Sequence, residues 1–233
     1  MSVTKTRTDP SPSAACWSCQ AALNGGGQFC AACGKIQPLP TGTDYFGVFG
    51  LPKKLRLNLE ELEQRFHQLS WKLHPDNFMR AGEFERNLSL ERSSELNDAY
   101  RALQNPVARL EYLLARAGVR KEGAAKQQAP PELLEEVFEL NESLDELREA
   151  RESGGDLVQL RERLTAAQKN FQEKLNEVDA ELESVFGEWD QAVESSAGDA
   201  AERALMARMN EVLNRRSYIR NLVANVQKEL VEG

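Results

Sequence analysis

From residue 44 onward, apolar residues return every three or four positions between short polar breaks, the period of helices and not of strands. Asp44-Tyr45-Phe46, closed by Gly50, Leu51 and Pro52, predicts one short turn or helix ending at Phe49. Asn58 with Glu61 three residues on reads as a helix cap and its capping-box partner. Leu59, Leu62, Phe66, Leu69 and Leu73 follow at helical spacing and predict a helix over 59–73, which Pro75 stops. A second helix is predicted from Glu83 to Gln104, with Phe84, Leu88, Ser94, Leu96, Ala99, Tyr100 and Leu103 as its less polar positions. Asn105 and Pro106 then read as cap and first position of a helix over 106–117, ended by Gly118.

Beyond that point the pattern predicts three antiparallel helices. Pro130 and Pro131 open the first, and Gly154 and Gly155 close it. The second carries Leu157, Leu160, Leu164, Phe171, Leu175, Val178, Leu182, Val185 and Trp189; the third, after Asp199, carries Leu205, Met209, Val212, Ile219, Val223, Val226 and Leu230. Long amphipathic helices joined by short polar breaks pack as an up-down bundle, and such stripes are its core. In the first of these helices Leu133, Val137, Leu140, Leu144 and Leu147 fall within about 40° of one line, whereas Leu134 and Phe138 sit roughly 100° and 140° away from it. Phe138 is therefore expected to project from a surface that also carries Glu135, Glu142 and Asp145. Tyr218 lies about 125° off the stripe of the third helix. Apolar anchors rimmed by carboxylates suit a partner with a basic, apolar-centred surface; the alternative is packing against a neighbouring element.

Charge sharpens the division. Residues 119–233 hold 25 Asp and Glu against 15 Lys and Arg, while residues 44–118 balance at 11 of each. A boundary near 119 is expected, and the overall charge of -8 argues against broad binding to a phosphate backbone. No run of 18 apolar residues offers a transmembrane helix, and the opening residues lack the apolar region of a signal peptide, so the cytoplasm is the expected compartment. Four segments result: a disordered N-terminus over 1–15, a tetracysteine segment over 16–43, a compact helical unit over 44–118 and a three-helix bundle over 119–233.

All four cysteines stand in two C-x-x-C pairs, Cys16/Cys19 and Cys30/Cys33, separated by ten residues that include Gly25, Gly26 and Gly27. Each pair can chelate one ion through a tight turn, and Gly34 suits the place where the chain must double back beneath the sulfurs. Four thiolates make a closed, structural site. One zinc ion is the expected occupant and iron the competing one. A disulfide pairing conflicts with the absence of an export signal, and thioredoxin-like redox chemistry lacks its βαβ setting.

His74-Pro75-Asp76 falls in the turn between the two central helices. Proline fixes the backbone there, while the imidazole and the carboxylate offer hydrogen-bonding groups at the tip. As hydrolytic chemistry the trio is poor, because no Ser or Cys lies close by and the only other histidine is His67. The turn reads as a recognition corner, or else as a plain helix-capping turn. Trp71, roughly 160° from the apolar stripe of its helix, should be exposed or packed against another segment.

Asp44-Tyr45-Phe46 with Phe49-Gly50-Leu51-Pro52, His74-Pro75-Asp76-Asn77-Phe78, Leu96-Asn97-Asp98-Ala99-Tyr100, and Asn105-Pro106 with Tyr112-Leu113-Leu114 resemble the HscB family, J-domain co-chaperones of iron-sulfur cluster biogenesis. The cysteine segment, ending in Ile36-Gln37-Pro38, is similar to the zinc extension of the family's eukaryotic type. The resemblance spans residues 16–233. It implies an all-α chain: a small zinc knuckle, a J domain, then a three-helix bundle. It further implies that His74, Pro75 and Asp76, with Arg65 and Lys72, meet a DnaK/HscA-class chaperone whose ATPase the J domain stimulates. Leu134, Phe138, Glu139, Glu142 and Tyr218 would hold the IscU-type scaffold protein. Neither nucleic acid, membrane nor enzymatic activity is implied. Two positions depart from the family pattern: Asn77 stands where a basic residue is usual, and Glu135 replaces an apolar residue. Other readings are a J-domain adaptor for a different client, and an iron- or redox-sensing tetracysteine protein.

Overall fold

The computed structural model describes residues 15–23, 27–120 and 130–231. The expected disordered N-terminus, apart from Ala15, lies outside the described residues, as do Gly25, Gly26 and the first stretch of the expected bundle segment, 121–129. Among the described residues the chain is all-α, with seven α-helices and only two isolated β-bridges. Its contacts separate two compact units: residues up to Lys53 together with Leu57–Arg109, and Lys54–Arg56 together with the chain from Leu110.

In the first unit, α1 (Tyr45–Phe49) begins where the Asp44 carboxylate accepts the Gly47 N–H at 2.8 Å and ends where Gly50 turns left-handed, φ +63°. That conformation is open to glycine at little cost. Helix α2 (Leu59–Leu73) starts with Asn58 accepting the Glu61 N–H at 3.2 Å. Helix α3 (Glu83–Gln104) returns alongside it, and α4 (Pro106–Arg116), whose residues from Leu110 belong to the second unit, opens with Asn105 capping Val107 and Ala108. Phe46, Phe49, Leu62, Leu73, Leu96 and Leu103 form the core, and Phe66 stacks on Tyr100 at 4.2 Å between centroids. Leu59, placed on the core stripe by its spacing, is 49% exposed. It occupies the first turn of α2, where a stripe runs past the elements that cover it.

The second unit takes in Lys54–Arg56, the chain from Leu110 and the three long helices. After a 3-10 turn at Pro131–Leu133 come α5 (Leu134–Ser153), α6 (Val158–Ser195) and α7 (Asp199–Val231). Helices α6 and α7 pack along each other, closing over Phe171, Leu182, Val185, Trp189, Met209 and Ile219. Phe186 and Leu213, which the stripes omitted, are equally buried. Helix α5 packs on α6, and Glu229 of α7 holds its far end through Arg148 (2.6 Å) and Arg151 (3.1 Å). Asp190 of α6 accepts the Leu55 N–H at 2.6 Å and the Arg56 N–H at 3.0 Å. The Arg56 guanidinium lies across Gly187, where a Cβ would come within 2.9 Å of it. No helix among the described residues is long and apolar enough to cross a membrane.

Candidate functional site

Two C-x-x-C turns are built alike, fourteen residues apart. In the first, the Cys16 N–H donates to Ala21 O and the Gln20 N–H to Cys16 O; in the second, the Cys30 N–H donates to Lys35 O and the Gly34 N–H to Cys30 O. Bridges Ala15 to Ala22 and Phe29 to Ile36 close each turn at the same register. The residue after the second cysteine is left-handed in both, Gln20 at φ +61° and Gly34 at φ +71°. Facing each other, the turns bring all four Sγ atoms within 4.8 Å of one another. Cys16 to Cys33 and Cys19 to Cys30 are each 3.7 Å apart, and none of the four is in a disulfide.

A tetrahedral ion with metal–sulfur bonds of about 2.3 Å has edges of about 3.8 Å, so the donor set fits a thiolate-bound metal. Burial opposes ionisation of Cys16, but backbone N–H groups of Cys19 and Ser18 and the thiols of Cys33 and Cys19 donate to it and draw its pKa down to about 6. At Cys33 the Lys35 N–H favours the thiolate, while burial and the other three thiols push the pKa up to about 12. Sulfurs this close cannot all ionise without a cation among them. Gln37, fully buried, donates to Cys16 Sγ at 3.3 Å and to Lys35 O at 2.8 Å.

This knuckle lies on α1 and α3 of the first unit. The Trp17 indole donates to Ile36 O at 2.7 Å and meets the Phe84 ring edge-on at 4.7 Å. Lys35 reaches the buried Glu85 at 2.5 Å. Gln28 donates to Val48 O at 2.9 Å, and its amide oxygen accepts from Arg92.

The His-Pro-Asp corner follows the last residue of α2. His74 caps that helix, and Pro75 begins a single 3-10 turn, Pro75–Phe78, whose Phe78 is buried. The His74 Nδ1 accepts the Asp76 N–H at 3.3 Å, leaving both side chains mostly in solvent. From behind, Leu73 O accepts Ser89 Oγ at 2.7 Å and Ser93 Oγ at 2.9 Å, and Asn77 donates to Trp71 O at 2.6 Å. Trp71 is 74% exposed, and Met79 projects beyond the corner. Lys72 is exposed, whereas Arg65 is engaged, donating to Phe49 O at 2.8 Å and to Glu61 at 2.7 Å. No spacing rule announced Ser89, Ser93, Glu85 or Arg92, since polar residues on a helix default to its solvent face.

On α5, Leu134 and Phe138 are 55% and 71% exposed, with Glu139 and Glu142 exposed beside them. Tyr218 is half-buried, because its neighbours Ser217 and Ile219 lie in the packed strip of α7. A groove between α5 and α6 is lined by Glu136, Glu139, Glu142, Arg163, Ala166 and Phe171.

In chain order, a thiolate knuckle, a helical domain bearing His-Pro-Asp and an acidic helical bundle define a J-domain co-chaperone. Comparison with known proteins gives the family. The family model for the HSCB C-terminal oligomerisation domain matches residues 129–227. The co-chaperone protein HscB homolog of Vibrio vulnificus (strain YJ016) is 32% identical over 151 residues, 65% of this chain and 85% of that protein. The iron-sulfur cluster co-chaperone protein HscB of Mus musculus is 31% identical over 164 residues, 69% of this chain and 68% of that one. The crystal structure of human co-chaperone protein HscB shares the fold, with a TM-score of 0.61 at 23% identity, over 94% of this chain and all of that one. The chain belongs to the HscB family of co-chaperones.

Proposed function

We propose that this chain stimulates the ATPase of a DnaK/HscA-class chaperone and delivers to it an IscU-type scaffold protein of iron-sulfur cluster assembly. The observation that carries this reading is the corner at 74–76, anchored from behind through Leu73 O and open to solvent in front. Such a turn presents the His74 imidazole and the Asp76 carboxylate at a fixed angle to a partner, with ordering costs already met on folding. Lys72 supplies the nearby positive charge and Trp71 apolar area. Arg65, committed to Phe49 O and Glu61, acts by holding α1 against α2.

The bundle, residues 119–233, is the delivery module. Leu134 and Phe138 are its apolar anchors, Glu139 and Glu142 its charged rim, and Tyr218 the supporting edge. One zinc ion held by Cys16, Cys19, Cys30 and Cys33 is structural. The chain itself performs no bond chemistry and works in the cytoplasm.

His74→Gln tests the reading. The side chain sits in solvent and its one local acceptor role is short-range, so melting should stay within about 1 kcal/mol of the parent while ATPase stimulation of a cognate chaperone disappears. Undiminished stimulation by the variant would overturn the assignment of the corner.

A further inference from the structure

Glu85, Ser89 and Arg92 stand at positions i, i+4 and i+7 of α3, one polar face of the helix, and are only 6%, 0% and 2% exposed. A buried polar face needs partners for every group on it. Within α3, Glu95 faces Arg92 Nε at 3.8 Å; the partners from outside the helix come from two directions. Glu85 takes Lys35 and Arg92 takes Gln28, both from the thiolate knuckle. Ser89, with Ser93 one turn further on, takes Leu73 O, the carbonyl directly before His74-Pro75-Asp76.

We propose that metal occupancy of the four-thiolate knuckle sets the order of the His-Pro-Asp corner, through the polar face of α3. The inference rests on the co-chaperone reading for its consequence, and on geometry alone for its structural half. Lys35, Gln28 and Trp17 all hang from the two cysteine turns. Lys35 O accepts from both the Cys30 N–H and Gln37 Nε2, and Gln37 in turn donates to Cys16 Sγ. A segment this short has no core of its own, so the ion supplies most of its folding free energy. Without the ion the knuckle loosens. The Trp17–Phe84, Lys35–Glu85 and Gln28–Arg92 contacts are then lost together, as is the Gln28 bond to Val48 O of α1. The first half of α3 is left with an acid that has lost Lys35 and a guanidinium that has lost Gln28 and keeps Glu95 of its own helix; of the two serines that grip Leu73 O, Ser89 sits between them and Ser93 directly after Arg92. Glu85, Ser89, Arg92 and Ser93 are therefore positioning residues, and the metal is an effector of the corner as well as a staple for the knuckle.

Hydrogen exchange on the full-length chain, zinc-loaded and chelator-stripped, decides the structural half. Removing zinc should speed exchange roughly tenfold or more over residues 83–93 and 71–78, with α6 and α7 unchanged. Equal protection of 71–78 in both forms overturns the proposal. Gln28→Ala with Lys35→Met leaves all four thiolates in place. This variant should bind zinc and give the cobalt-substituted absorption spectrum of the parent, yet exchange at 83–93 and 71–78 like the stripped chain. Parent-like protection in the zinc-loaded double variant overturns the route through α3. Ser89→Thr should keep protection at 71–78 and Ser89→Ala should lose it. Chaperone ATPase assays then separate the two claims. Stimulation that falls severalfold on stripping supports the effector role, whereas equal stimulation by both forms removes it. No stimulation by a zinc-loaded, fully protected chain removes the co-chaperone reading and leaves the link between knuckle and corner standing on the exchange data.

Discussion

Gln20 occupies a position that its counterpart, Gly34, fills without strain. Both are left-handed, and a side chain there brings Cβ against the following carbonyl at a cost of about 1 kcal/mol or a little more. Nothing in the spacing of the first C-x-x-C pair predicts that strain, because only the second pair carries the glycine that signals it. Since folding of the knuckle and metal binding are one equilibrium, relieving the strain should appear as metal affinity. Gln20→Gly is expected to tighten zinc binding by up to about fivefold in competition with a chromophoric chelator, the gain being trimmed by the extra freedom glycine brings to the unfolded chain. Weaker binding by the variant would mean that the Gln20 side chain contributes contacts that outweigh its backbone.

Helix positions were legible because the stripes, caps and breakers agree. Asn58 and Asn105 cap the helices they were expected to cap, and the separation of Leu134 and Phe138 from the buried line of α5 is the one the 100° step requires. What the stripes could not show is which polar residues a second element would bury. Glu85 and Arg92 read as solvent-facing until the knuckle covers them, and Asp190 as one more acid until two backbone N–H groups meet it. Glu229 is another such case. Its carboxylate lies 2.6 Å from Arg148 and 3.1 Å from Arg151, tying α7 to α5. The hydrogen bond from Arg148 holds its pKa below the usual carboxylate range, with the charges of both arginines adding to it against a smaller effect of burial. A pKa depressed by folding contributes stability above the unfolded value and loses it as pH falls through the folded one. Glu229→Gln should therefore melt lower than the parent at neutral pH, with the gap closing as the solution becomes more acid than the ordinary carboxylate range. A gap that persists unchanged into strong acid would show that packing, not charge, holds α5 to α7.

Across the whole chain, charge and exposed apolar area divide the labour between the units. The first unit is electrically balanced and shows Trp71 and Met79 at its corner, while the bundle is strongly acidic and shows Leu134 and Phe138. An acidic rim around apolar anchors speeds and orients encounter with a basic partner, but the free energy of the complex resides in the anchors. Salt and truncation should therefore act on different rates. Replacing Leu134 and Phe138 together by Ala removes side chains that already face water, so the melting temperature should barely move, whereas truncating a buried neighbour such as Leu140 should cost roughly 2 to 5 kcal/mol. Each anchor at the centre of an interface is worth about 2 kcal/mol, so the double variant should bind an IscU-type scaffold several hundredfold more weakly, chiefly through faster dissociation. Glu139→Gln with Glu142→Gln should instead slow association and flatten its dependence on salt. Tyr218→Ala belongs to neither class: half-buried in α7, it should lower the melting temperature as well as the affinity. Calorimetric titration and stopped-flow association on the same three variants give all the quantities needed. If the Leu134/Phe138 variant melts like the parent and binds scaffold with unchanged dissociation, the client docks elsewhere on the bundle and the exposed face of α5 has some other partner.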